Sequence, residues 1–187
     1  MESLVWGPYP ILDVGGVIPI ARAVDFLRAL VRAHATIVQL RAKTLPDREF
    51  FELAREMREI ATAGAMRLII DDRADIALAS GADGVHLGQS DLPAERVRTW
   101  LPRPMMIGVS CHNVGDVERA VASGAVDYVG LGPIFPTRSK TNPDPVVGLS
   151  QLAETCARHS DLAVVAIGGI ELTSLASIRN AQARGAA

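Results

Sequence analysis

Short runs of Val, Ile and Leu recur along the chain, each followed by a longer stretch whose apolar residues fall at helical spacing. The runs at 10–14, 36–41, 67–71, 84–88, 105–109, 128–132 and 163–167 predict strands. The stretches at 21–32, 47–63, 74–79, 93–100, 114–122, 149–159 and 173–184 predict helices. Most of the strand runs are apolar throughout. Strands buried on both faces belong to a parallel sheet covered by helices, whereas antiparallel strands usually alternate. A regular walk of βα units is the expected architecture.

A weak internal repeat supports it. Ala79-Ser-Gly-Ala-Asp-Gly-Val-His-Leu-Gly88 parallels Ala122-Ser-Gly-Ala-Val-Asp-Tyr-Val-Gly-Leu-Gly132, each reading as a helix end, a glycine stop and a strand. The last residues, 183–187, repeat the first half of that unit and then stop. This predicts an α/β chain forming a (β/α)8 TIM barrel that lacks its last strand, rather than an open doubly wound sheet. A single, C-terminally incomplete barrel domain over 1–187 is expected, with a gap between the seventh and first strands. The chain is expected to be a fragment of a longer polypeptide or to close its gap against a partner subunit, so homo-oligomers stay open.

Composition narrows the class. A content of 49% hydrophobic and 21% charged residues excludes a disordered chain. The net charge of −2 argues against nucleic acid as a partner, and no apolar run approaches the roughly 20 residues needed to span a bilayer. Cys111 and Cys156 cannot build a disulfide framework, and the four histidines share no ligand spacing with them. A soluble, cytoplasmic protein is expected.

Barrels of this kind carry their active sites at the C-terminal ends of the strands. Gln39, Arg41 and Lys43 alternate onto one side of an extended segment, and cations inside a barrel call for an anion, a phosphorylated ligand being the natural one. The alternative is that Arg41 and Lys43 reach solvent past the strand end. Asp71, Asp72 and Asp91 follow the next two strands, where Asp72 and Asp91 would form a hard oxygen site of the sort Mg²⁺ uses, or would cap the helices after them. His86 reads as a hydrogen-bonded core residue, and Ser110 to Asn113 as a strand end or a cap. The long loop after the sixth strand holds Thr137, Ser139 and Lys140, hydroxyl and ammonium donors suited to phosphate oxygens. Gly168 and Gly169 allow backbone amides to approach a phosphate.

Taken in order, Gln39-Leu-Arg-Ala-Lys43, Asp71-Asp-Arg-Ala-Asp75, Gly84-Val-His-Leu-Gly-Gln-Ser-Asp91, Ile107-Gly-Val-Ser110, Gly132-Pro-Ile-Phe-Pro-Thr-Arg-Ser-Lys140 and Ala166-Ile-Gly-Gly-Ile170 resemble the thiamine phosphate synthase family over nearly the whole chain. The resemblance implies a transferase that joins a pyrophosphorylated aminopyrimidine to thiazole phosphate, releasing pyrophosphate, with Mg²⁺. It implies that Gln39, Arg41 and Lys43 hold the pyrimidine diphosphate, that Lys140 adds charge at the leaving group, and that Asp72 and Asp91 ligate the metal. Ser110 matches a hydroxyl contact to the pyrimidine, and Asp71 stands where the family usually has Asn. Thr137, Arg138 and Ser139 match the stretch that meets the thiazole phosphate, with Gly168 and Gly169 on its other side. The competing functions are a thiazole tautomerase-like paralogue, a non-catalytic binder of thiamine precursors, and a Schiff-base aldolase using Lys43.

Overall fold

In the computed structural model, which describes residues 7–137 and 144–187, one parallel sheet runs through the chain with helices packed outside it. Its strands are β1 (Gly7–Pro8), β2 (Ile11–Asp13), β3 (Ile37–Arg41), β4 (Arg67–Asp71), β5 (Gly84–Leu87), β6 (Met106–Cys111), β7 (Tyr128–Leu131), β8 (Ala163–Ala166) and β9 (Gly185–Ala186). The helices are α1 (Ala23–Arg32), α2 (Asp47–Ala63), α3 (Ala74–Ser80), α4 (Ala94–Arg98), α5 (Val114–Ala122), α6 (Gly148–Arg158) and α7 (Leu175–Asn180). All seven sequence-predicted strands and all seven helices are present. No helix among the described residues is long and apolar enough to cross a membrane.

The strand order is β1-β9-β8-β7-β6-β5-β4-β3-β2, so the two edge strands are consecutive in the chain and the sheet curls on itself. The expected gap between the seventh and first strands is corrected here. Gly185–Ala186 pairs with Val165–Ala166 on one side and with Gly7–Pro8 on the other, and the Tyr9 N–H donates to the Ala186 carbonyl at 2.8 Å. Two residues are too short a run to show a strand period, which is why the pattern missed both β1 and β9. The last helix is also shorter than predicted. It begins after a single 3₁₀ turn at Leu172–Ser174 and ends before Gln182, whose φ of 63° cannot continue a right-handed helix.

Register places every second residue inside the curl. Ile11 pairs with Gln39, Gln39 with Ile69, Ile69 with Gly84, Gly84 with Met106, and Gly108 with Tyr128. The interior core is accordingly small: Tyr9, Ile37, Ile69, Tyr128 and Val165. Gly108 makes room for the Tyr128 ring, since a Cβ there would lie 2.0 Å from the ring carbon that bears the hydroxyl. The larger apolar clusters lie between sheet and helices, built on residues such as Val38, Leu40, Phe50 and Met57 on one side and Val129, Leu131, Leu152 and Val164 on the other. Interior positions at the C-terminal ends of the strands are left to polar side chains.

Candidate active site

Two cavities open at those strand ends. The first, about 480 Å³, is lined by Gln39, Arg41, Lys43, Asp71, Asp72, Asp91 and Ser110, bringing together seven of the residues singled out in the sequence. The second, about 430 Å³, is lined by Gly132, Pro133, Thr137, Gly168 and Gly169. Ser110, His112, Gly130 and Asp144 belong to both, so the two form one mouth with two lobes. Arg138, Ser139 and Lys140 lie outside the described residues.

The first lobe is ionic. Register sets Asp13 opposite Arg41, and the Arg41 guanidinium bonds Asp13 at 2.5 Å and approaches Asp71 at 3.4 Å. Lys43 reaches Asp72 at 2.9 Å. Burial, followed by the charge of Asp72, pushes the Asp71 carboxyl up to about 7. Asp91 is also raised, by burial and by the nearby Asp72 carboxylate, against the lowering effect of the Gly88 N–H that it accepts at 2.6 Å. Helix capping does not account for these acids. The residues before α3 and α4 are Arg73 and Pro93, and neither helix has a side-chain cap. Asp72 itself takes a left-handed backbone, φ 60°, at the turn out of β4.

Beneath the ions lies an uncharged layer. Gln39 Nε2 donates to the Tyr9 hydroxyl at 3.3 Å, Tyr9 and Tyr128 hydroxyls lie 2.7 Å apart, and His86 stands between the Tyr128 hydroxyl and Ser110 Oγ, 3.0 Å from each. His86 is thus the hydrogen-bonded core residue that its apolar strand suggested, and its burial lowers its pKa to about 4. Ser110 lies inside β6, which runs two residues past its predicted end because Ser110 and Cys111 pair with Gly130 and Leu131.

The second lobe is shaped by backbone. Gly168 and Gly169 have φ of 92° and 64°, and a Cβ on Gly169 would meet the Pro136 and Phe135 carbonyl oxygens at 2.6 and 2.8 Å. The loops after β7 and β8 are joined by Ile134 N–H to the Ile167 carbonyl and Phe135 N–H to the Gly168 carbonyl. His112 Nδ1 lies 3.4 Å from the Asp144 carboxylate at the junction of the lobes.

The Schiff-base alternative fails. Lys43 is half exposed and ion-paired, unlike the desolvated lysine a Schiff base needs. Cys111 is buried with its thiol pushed up to about 12, so it is no nucleophile, and Asn113, not Ser110, caps α5 by accepting the Asp116 N–H. Asp13, Tyr9, Tyr128, His112 and Asp144 were not identified from sequence. The parity of Tyr9, Ile11 and Asp13 along the segment that leads through β2 was the available signal for the first two.

The profile of the thiamine monophosphate synthase family matches residues 9–187. The thiamine-phosphate synthase of Myxococcus xanthus is 42% identical over 181 residues, covering 97% of this chain and 82% of that protein. The thiamine-phosphate synthase of Methanospirillum hungatei is 44% identical over 155 residues, 82% of this chain and 73% of its own. The chain is also 46% identical to the chloroplastic thiamine biosynthetic bifunctional enzyme of Arabidopsis thaliana over 83% of its length, but it spans only 29% of that longer protein. Among solved structures, the thiamine phosphate pyrophosphorylase of Pyrococcus furiosus superimposes with a TM-score of 0.87 at 30% identity, covering 100% of this chain and 86% of that one.

Proposed function

The chain belongs to the thiamine monophosphate synthase family, and from that premise we propose that it joins 4-amino-2-methyl-5-(diphosphooxymethyl)pyrimidine to thiazole phosphate, releasing pyrophosphate and forming thiamine phosphate. The curled sheet is read as an eight-stranded barrel whose first strand is split into β1 and β2. The observation that carries the proposal is the convergence of Arg41, Lys43, Asp72 and Asp91 on one lobe of a cavity whose other lobe is lined by left-handed glycines.

In this reading Arg41 and Lys43 bind the diphosphate. Their partners Asp13, Asp71 and Asp72 hold them in place before the ligand arrives, so the cations enter the reaction already oriented. Gln39 and Ser110 meet the heterocycle, while Thr137, Gly168 and Gly169 take the phosphate of the second substrate. Arg138, Ser139 and Lys140, outside the described residues, complete the same roles by resemblance.

The donor set fits a hard divalent cation. The Asp72 and Asp91 carboxylates lie near enough that Asp72 raises the Asp91 pKa, a repulsion that a bound cation would relieve. Among the described residues no three His, Cys, Asp or Glu side chains converge to hold a metal, so an ion bound by Asp72 and Asp91 would take its remaining ligands from water and substrate phosphate oxygens. Mg²⁺ held there by Asp72 and Asp91 would offset the charge that builds on the departing diphosphate. The carbon–oxygen bond breaks with its electron pair leaving on pyrophosphate. The electron-rich aminopyrimidine stabilises the resulting cation, and the thiazole nitrogen supplies the new carbon–nitrogen bond. No covalent nucleophile is required of the protein.

Incubation with both substrates and Mg²⁺ is expected to yield thiamine phosphate and pyrophosphate in equal amounts. Absence of product from the folded protein would refute the assignment.

A further inference from the structure

His112, the first residue after β6, stands where the two lobes meet, and its imidazole gathers two separate points of the loop after β7. Nδ1 is 3.2 Å from the Gly132 carbonyl oxygen at the start of that loop and 3.4 Å from the Asp144 carboxylate near its end. A carbonyl oxygen only accepts, so Nδ1 carries a hydrogen and donates whether the ring is neutral or charged. The contact therefore survives any change in the charge of the ring.

The imidazole is itself held from behind. The His112 backbone N–H donates to the Asp116 carboxylate at 2.7 Å, and Asp116 is buried on α5, where the Asn113 amide and the Arg119 guanidinium bond it as well. Gly132 is fixed from both sides. Its N–H donates to the Cys111 carbonyl at 3.0 Å, and a Cβ on it would lie 2.1 Å from the Ile167 carbonyl oxygen. The later foot of the loop is joined to the first by the Val147 N–H on the Pro133 carbonyl at 2.8 Å, and to β6 through Asp144 and His112. Between the feet the chain carries Pro133 and Thr137 into the wall of the second lobe, which Gly168 and Gly169 complete. A side chain that ties both feet to one post fixes the width of that lobe.

We propose that His112 is a positioning residue for the second substrate: by holding Gly132 and Asp144 to one point it sets the fit of the second lobe around the phosphate of the thiazole. This rests on the substrate reading above. The first lobe stands on β3 to β5 and has ionic ties of its own, Arg41 to Asp13 and Lys43 to Asp72. Loss of the His112 tie therefore falls on one substrate, although the residue borders both lobes. The task needs a donor where Nδ1 lies and no proton transfer. Asparagine carries an amide nitrogen the same number of bonds from its Cα, so it can take over the contact, whereas alanine cannot.

The test is steady-state kinetics with each substrate varied in turn. His112→Ala is expected to raise KM for thiazole phosphate about tenfold and to leave KM for the pyrimidine diphosphate within about twofold, with His112→Asn recovering most of the loss. Asp144→Ala, which releases only the later foot, is expected to raise the same KM about threefold, and it serves if His112→Ala does not fold. The double variant is expected to be no worse than His112→Ala alone, because the second change removes a contact already lost. Equal losses for both substrates, or additive losses in the double variant, reject the inference and leave the function intact. So does a collapse of kcat in His112→Asn at unchanged KM, which would show that the ring itself moves a proton. A folded wild type that makes no thiamine phosphate rejects the function, and this inference with it.

Discussion

The two lobes of the mouth are built by opposite means. Around β2 to β5 the wall is made of ionisable side chains, Asp13, Arg41, Lys43, Asp71, Asp72 and Asp91, with each cation already held by an acid. Around β7 and β8 it is made of Gly132, Pro133, Gly168 and Gly169, with the loop backbones bonded to one another. Side-chain ions can exchange partners when a ligand arrives, whereas a backbone cradle has to be in place beforehand. Removing a charge should therefore cost activity and little stability, while adding a single carbon to the cradle should cost both.

The sharpest break of that contrast is expected from Asp91→Ala. It should lower kcat/KM by a factor on the order of 10² to 10³, with a melting temperature within a few degrees of wild type. Full activity in the presence of a chelator would remove the metal from the account.

His86, beneath the junction of the lobes, gives a pH signature. Its folded pKa of about 4 lies below the ordinary 6.5, so the unfolded chain takes up the proton first as pH falls. The stability that it confers is complete above pH 6.5 and is lost between about 6.5 and 4, amounting to about 3 kcal/mol. In His86→Gln that part of the pH dependence should disappear from urea midpoints taken at pH 4.5 and 7.5.

Next in size, Gly169→Ala should destabilise by about 1–3 kcal/mol, because it adds a carbonyl clash to a left-handed backbone. Gly81→Ala is the control: its φ is 68°, but nothing lies within 4 Å of the added carbon, and it should cost about 1 kcal/mol. Equal urea midpoints for the two variants would show that the cradle is not tight.

The smallest effect concerns Asp13. Without it Arg41 keeps only the longer contact to Asp71, and KM for the pyrimidine diphosphate should rise about fivefold at unchanged kcat, equivalent to about 1 kcal/mol.

Much of the ionic lobe was legible because alternation alone puts Gln39, Arg41 and Lys43 on one side of a strand, and chain order puts Asp71, Asp72 and Asp91 after the next two. What those side chains bind was not. The capping alternative for the acids was the simpler reading of each residue taken alone, and the Asp13–Arg41 pair depends on the register between β2 and β3. Tyr9 and Tyr128 look like core aromatics in a sequence. Only their shared depth inside the curl makes them hydrogen-bond partners 119 positions apart. The closing strands escaped notice for another reason, since two-residue pairings leave no period to read.

The division of labour between the lobes is tested most directly by calorimetric titration of each substrate into Lys43→Ala and Gly169→Ala. Lys43→Ala should weaken the pyrimidine diphosphate about tenfold and leave thiazole phosphate unchanged, and Gly169→Ala should do the reverse. Both variants losing affinity for the same substrate, or each losing both equally, would contradict it.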